Sequence, residues 1–259
     1  MLRAHVLRQS LQVLGLVLGC LSCVPVPPPP LRPPIIPRGD YSILRRHVDW
    51  RVDKAMRETR TRGFTVAVVD GDQTVLAKGF GDAAESSAAD EHTPFRVGSI
   101  SKLFTAIAVM QLVDQGRIAL DQPLQEQLPQ FSIQSRFDDA GPVTPRLMLT
   151  HHSGLPSDVL RGLISRDPFP YTEFATRMHD EFLAAPPGRV FSYSNVAYSI
   201  LGHLVEHVSG EVFADYVRLH ILQPLGMGKV WRACFCCCWE IGSCQHPQQH
   251  HWHHLLLRT

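Results

Sequence analysis

The spacing of apolar residues along this 259-residue chain changes several times, and each change predicts an element. Across 40–60, Ile43, Leu44, Val48, Val52 and Met56 recur at helical spacing, which predicts an amphipathic helix. GFTVAVVD and TVLAKGF then bring small and β-branched residues to either side of DGDQ, the pattern of a β-hairpin over 64–80. The polar stretch DAAESSAADEHTP that follows reads as a loop. Over 100–115, with LFTAIAVMQLV at its centre, the chain is apolar nearly all round and stops at Gly116, so a core helix is expected.

Four more helices are predicted: TPRLMLTHH ending at Gly154, YTEFATRMHDEFLAA ending at Pro186, NVAYSILGHLVEHVS ending at Gly210, and GEVFADYVRLHIL ending at Pro224. The order is helix, hairpin, then a long helical run. No strong strand pattern follows the hairpin, and a lone hairpin is only marginally stable.

Composition adds exclusions and segment boundaries. At 44% hydrophobic and 19% charged the chain is globular, and a formal net charge of +1 gives no electrostatic footprint for nucleic acid. Residues 1–39 contain no Asp or Glu, carry Arg3 and Arg8, and run through LQVLGLVLGCLSCV into PVPPPPLRPP. That apolar run of about fourteen residues suits a signal-peptide core better than a span of roughly twenty. Residues 1–23 are therefore read as a signal peptide or short anchor, and 24–39 as a stiff Pro-rich linker. Cys20 in VLGC resembles a lipoprotein cleavage site, and an acid-free mitochondrial transit peptide is a further alternative. The expected location is extracytoplasmic, membrane-tethered or secreted.

Five of the seven cysteines lie between Cys234 and Cys244, and five of the fourteen histidines between His246 and His254, so 229–259 is a segment of different composition. CFCCC crowds thiols where structural zinc sites space them as C-x2-4-C, which sets a metal site aside. The expectation is an aberrant tail from a frameshift, an alternative transcript or a retained intron, following a domain over 40–228.

Ser99 and Lys102 in GSISK are three apart, one turn along the same face of a helix. A serine hydroxyl needs a neighbour to take its proton, and a lysine desolvated among apolar helices is one such neighbour. Ser101 has no basic residue at that offset, so it caps or packs. S-x-x-K arises about once by chance in a chain of this length. Tyr193 and Asn195, at the start of a predicted helix, add a phenol able to move a proton and an amide able to orient a partner. Asn195 is the single asparagine in the chain, and an N-cap role is compatible with that function.

GSISKLFTA, LMLTHHSGLP, PPGRVFSYSNVAYSILGHLVE and ILQPLGM resemble, in that order, the serine β-lactamase-related family of class C β-lactamases, D,D-peptidases and esterases. The resemblance runs from 60 to 228. It implies an α+β fold: an antiparallel sheet covered by helices, plus an all-helical subdomain. It also implies acyl transfer on a β-lactam, peptide or ester substrate, with no metal or organic cofactor. Ser99 would be the nucleophile, Lys102 its proton partner, Tyr193 the general base and then acid, and Asn195 the positioner.

In that family a His at the position of His151 or His152 is mainly structural, ordering a turn before Gly154, which is set against a Ser-His triad. His203 and His207, at i and i+4, have no third zinc ligand nearby in sequence and read as solvated or core histidines. The family's third motif, K-T-G or H-x-G, lies on a strand in a further part of roughly a hundred or more residues, and it does not follow Met227 here. The C-terminal strands are thus expected to be missing and this chain to be weakly active or inactive. The alternative to a serine hydrolase is a truncated isoform or pseudoenzyme that acts, if at all, as a binding or regulatory protein.

Overall fold

The computed structural model describes residues 27–95, 97–158 and 172–227. The predicted leader 1–23 and tail 229–259 lie outside the described residues. The chain divides into two units at 93/94.

In the first unit, helix α1, Ser42–Thr59, ends at Arg60, whose backbone takes the left-handed conformation. Strands β1, Gly63–Asp70, and β2, Gln73–Ala84, pair antiparallel, with Asp70 opposite Gln73 as DGDQ predicts and a bulge after Val68. α1 packs against both strands, burying Val52, and Asp49 accepts a hydrogen bond from Lys78 at 2.6 Å.

The expected loop after the hairpin is corrected. β2 runs on to Ala84, turns, and pairs with β3, Ser87–Ala88. The small residues of AAESSAA let a short strand lie close: Ala89 N–H donates to Gly81 O at 2.9 Å. Gly81 has φ +67°, and a Cβ there would meet Arg62 O at 2.1 Å, so no side chain fits. Among the described residues the sheet has the order β1-β2-β3. The Pro-rich stretch from 27 to 39 is mostly exposed, but it is not a free spacer throughout, since the Trp50 indole donates to Pro27 O at 2.6 Å.

The second unit is built of helices. A 3-10 turn, Gly98–Ile100, leads into α2, Ser101–Asp114; then come α3, Leu124–Gln127, and α4, Pro145–Leu149. α5, Glu173–Arg177, continues as a 3-10 turn to Asp180. α6 is Asn195–Ser209, and α7, Phe213–Val217, continues as a π-helical turn Arg218–Leu222. α6 is central, packing on α2, α4, α5 and α7, and its Ile200, Leu201 and Leu204 are fully buried with Val109, Leu112, Met148 and Phe174.

Three expectations are revised here. α2 is apolar all round but buries one face: Leu112 is 0% exposed, whereas Leu103 is 58% exposed. Its packing partners in this unit, α6 and α7 with its π-helical turn, cover the buried face. α4 is shorter than TPRLMLTHH suggested, because Thr144 and Pro145 start it while His151, at φ +59°, stops it. The 171–185 helix ends early as well. Past Asp180 the backbone is extended, and the Gln134 and Phe182 segments bridge in parallel with two N–H···O bonds.

Among the described residues no helix is long and apolar enough to cross a membrane. Replacing Leu112 by Ala should cost about 2–5 kcal/mol in urea unfolding, as for a buried leucine. Leu103→Ala should stay within about 0.5 kcal/mol. Equal losses at the two positions would contradict the one-sided burial of α2.

Candidate active site

Two helix N-termini converge at the site. Ser99 sits in the 3-10 turn that runs into α2, and Lys102 occupies the first turn of α2, so the side chains meet across one turn with Lys102 Nζ 3.3 Å from Ser99 Oγ. Tyr193 and Asn195 flank the start of α6. Packing of α2 on α6 brings the Tyr193 hydroxyl to 2.7 Å from Ser99 Oγ and Asn195 Oδ1 to 2.6 Å from Lys102 Nζ. The four predicted residues are thus together.

Lys102 is half-buried and hydrogen-bonded, not stripped of polar neighbours as the apolar α2 suggested. Its ammonium lies 4.9 Å from the centroid of the Tyr193 ring and 5.6 Å from that of Tyr198, which are cation–π distances. Ser101, 5% exposed, packs; its hydroxyl has no hydrogen-bond partner among the described residues.

The N-cap of α6 is Ser194, not Asn195. The Ser194 hydroxyl accepts from Ala197 N–H at 3.0 Å and donates to Pro156 O at 2.6 Å. With the cap supplied by its neighbour, the Asn195 amide is free to face the site. Its orientation follows from charge: an ammonium can only donate, so the oxygen faces Lys102, and the NH2 faces Asp158 Oδ1 at 2.9 Å.

A loop shapes the other wall. Gly154, at φ +72°, lets the chain pass Ala185, whose carbonyl a Cβ would meet at 2.0 Å. His151 lies beside the tyrosines, with ring centroids 4.4 Å from Tyr193 and 5.1 Å from Tyr198. Its Nδ1 accepts from Ser194 N–H at 3.1 Å, so the hydroxyl partner of Ser99 is Tyr193 and not a histidine. Burial and then the Lys102 charge hold His151 below the ordinary imidazole value. Burial raises the Tyr198 phenol, whose hydroxyl donates to Leu149 O at 2.9 Å.

Tyr198, Asp158 and Ser194 were not picked out from sequence. Tyr198 had a signal, being one turn beyond Asn195 on the same helix. Asp158 and Ser194 had none, since each acts through residues brought close by the fold. Among the described residues no group of three or more His, Cys, Asp or Glu side chains is placed to hold a metal ion, His203 and His207 included.

A family model described as Beta-lactamase matches residues 48–231, most of the chain. The chain belongs to the beta-lactamase family. Penicillin-binding protein 4 of Amycolatopsis lactamdurans is 34% identical to it over 184 residues, covering 70% of this chain and 48% of that protein. Esterase EstB of Burkholderia gladioli is 34% identical over 204 residues, covering 73% and 51%. The crystal structure of a class C beta lactamase superposes with a TM-score of 0.62 at 26% identity, covering 74% of this chain and 52% of that one. The beta-lactamase-family chain thus spans about half the length of these relatives. The α+β architecture of an antiparallel sheet and a helical unit agrees with that membership.

Two half-buried histidines should give this beta-lactamase-family chain a pH dependence. Burial holds His151 and His203 below the ordinary imidazole value; for His203 Glu206 opposes the shift and His207 adds to it. As pH falls through about 6.5 the unfolded chain takes up protons that the folded chain does not, so stability falls. Asp40, Asp90 and Asp121 are held low by hydrogen bonds, and what they contribute is lost only below about pH 4. Thermal melts should therefore show a lower Tm at about pH 5 than at about pH 7.5, and a flat Tm across that window would contradict the neutral, half-buried state of these imidazoles.

Proposed function

We propose that this chain is a serine acyl hydrolase working through a covalent Ser99 acyl-enzyme. The observation that carries the reading is the Ser99 hydroxyl held between the Tyr193 phenol at 2.7 Å and the Lys102 ammonium at 3.3 Å. At 2.7 Å the Tyr193 oxygen is within reach of the serine proton, and the ammonium, which can only donate, sets a positive charge beside both oxygens.

In this reading the site reacts with the Tyr193 oxygen deprotonated beside the Lys102 ammonium: Ser99 Oγ bonds to the substrate carbonyl carbon, whose π electrons move to its oxygen, while the serine proton passes to the Tyr193 oxygen. When the tetrahedral intermediate collapses, the bond to the leaving group breaks and the pair returns the proton to it. Water then adds to the acyl carbon and gives its proton to the same pair, and as the bond from the acyl carbon to Ser99 Oγ breaks the pair returns that proton to Oγ and the acid leaves. Asn195 holds Lys102 in place, and the Ser99 backbone N–H supplies one donor for the oxyanion. The relatives' names, a penicillin-binding protein and an esterase, point to small-molecule or peptide acyl substrates: a β-lactam, a peptide or an ester.

One observation favours a second reading, in which the chain binds acyl compounds without turning them over. Ser99 is exposed and Tyr193 is 41% exposed, so bulk water competes for the donors that catalysis uses.

Hydrolysis of nitrocefin and of p-nitrophenyl esters separates the two. Turnover should vanish in Ser99→Ala and fall about 10²- to 10⁴-fold in Tyr193→Phe and Lys102→Met. Wild-type rates equal to those of Ser99→Ala would end the catalytic reading, and binding of intact substrate by that folded chain would favour the second.

A further inference from the structure

His151 is one of two non-glycine residues with positive φ among those described, at +59°. Such a conformation costs free energy and persists only where surrounding contacts hold it. Those contacts converge on one neighbour. The His151 carbonyl accepts from Ser192 N–H at 2.8 Å, and its Nδ1 accepts from Ser194 N–H at 3.1 Å. Its ring lies against the Tyr193 ring with centroids 4.4 Å apart and planes 32° apart. Tyr198, anchored to Leu149 O, also lies against the ring, with centroids 5.1 Å apart. The amides on both sides of Tyr193 and one face of its ring are thus fixed by a single residue, while the phenol reaches Ser99 Oγ.

We propose that His151 is the positioning residue for Tyr193: as a neutral imidazole protonated at Nε2, it clamps 192–194 so that the phenol meets Ser99. This rests on the reading of Ser99 as nucleophile and Tyr193 as its proton partner. Nδ1 can accept from Ser194 only while it carries no proton. An imidazolium would aim N–H at N–H, and it would add a cation beside Lys102. The titratable groups facing the ring are Lys102 on α2, Tyr198 on α6, Tyr193, and His152 next to it in sequence. Protonation therefore releases the clamp, and the site disassembles in mild acid.

Two variants separate positioning from folding. His151→Gly accepts the positive φ but removes the ring and the acceptor. His151→Asn also tolerates that backbone and keeps an oxygen at the acceptor position, without titrating. With the full chain, Ser99 acylation by a fluorophosphonate probe should be about 10- to 100-fold slower in His151→Gly at about pH 8. His151→Asn should recover most of that loss and should lack the acidic fall in rate expected of the wild type toward about pH 5. An unchanged rate in His151→Gly, or the same acidic fall in His151→Asn, would overturn the proposal.

A second measurement does not depend on reactivity. In 15N NMR of the full chain without substrate, His151 Nδ1 should appear unprotonated at about pH 8, and the Ser194 amide shift should follow its titration. That result with an unreactive Ser99 would uphold the clamp and fail the hydrolase reading. A protonated Nδ1, or a Ser194 amide indifferent to the titration, would overturn the clamp whatever Ser99 does.

Discussion

The site depends on the packing of α2 against α6. Val109 and Leu112 on one helix meet a core that holds Ile200, Leu201 and Leu204 on the other, and removing that apolar surface from water fixes how the two helices lie. Their first turns carry the four residues of the candidate site. Ser99 and Lys102 lie where α2 begins, Tyr193 and Asn195 where α6 begins, so packing deeper in the unit sets distances of 2.6 to 3.3 Å at the surface. A core change that shifted either helix along its axis would move all these contacts at once, because no flexible loop intervenes to absorb it.

Polar pairing then removes the remaining freedom. A lysine in this position has several rotamers, and an amide has two faces that are nearly alike in shape. Asn195 is pinned because its two partners have opposite character, an ammonium that only donates and a carboxylate that only accepts. The ammonium in turn bridges Asn195 and Ser99 and faces two aromatic rings. The loop from Thr150 to Asp158 holds the opposite side. Its His151 meets Ser192 and Ser194, Pro156 receives the Ser194 hydroxyl, and Ser157 O accepts from Asn195 N–H at 2.8 Å. Tyr193 and Asn195 are consequently held by a segment far from both α2 and α6 in sequence.

What was legible in the sequence follows from how local each signal is. α1 was readable from its periodicity, the DGDQ hairpin from its turn chemistry, and α6 from periodicity that stops at Gly210. The Ser99–Lys102 pair was readable because its geometry is one turn of one helix. The assignment of the cap to Ser194 was not, since Ser and Asn cap about equally well and the choice is made by the distant Pro156 carbonyl. Helix lengths failed where a tertiary contact overrode propensity: at His151, whose backbone is turned left-handed, and after Asp180, where the chain leaves the helix to bridge Gln134. The stretch after the hairpin read as a loop because its residues are small and polar, and it pairs with β2 because small residues permit close backbone approach. The exposed face of α2 shows the limit of composition, as an apolar residue signals burial without saying which side of the helix is covered.

The central claim is that the fold makes one particular serine of GSISK reactive. Peptide mapping by mass spectrometry, after the full chain has reacted with a fluorophosphonate, tests it most directly. The account predicts a single adduct on Ser99, which stands exposed beside Tyr193 and Lys102, and none on Ser101, two residues further on and buried. An adduct on Ser101, or equal labelling of several serines across the chain, would contradict it.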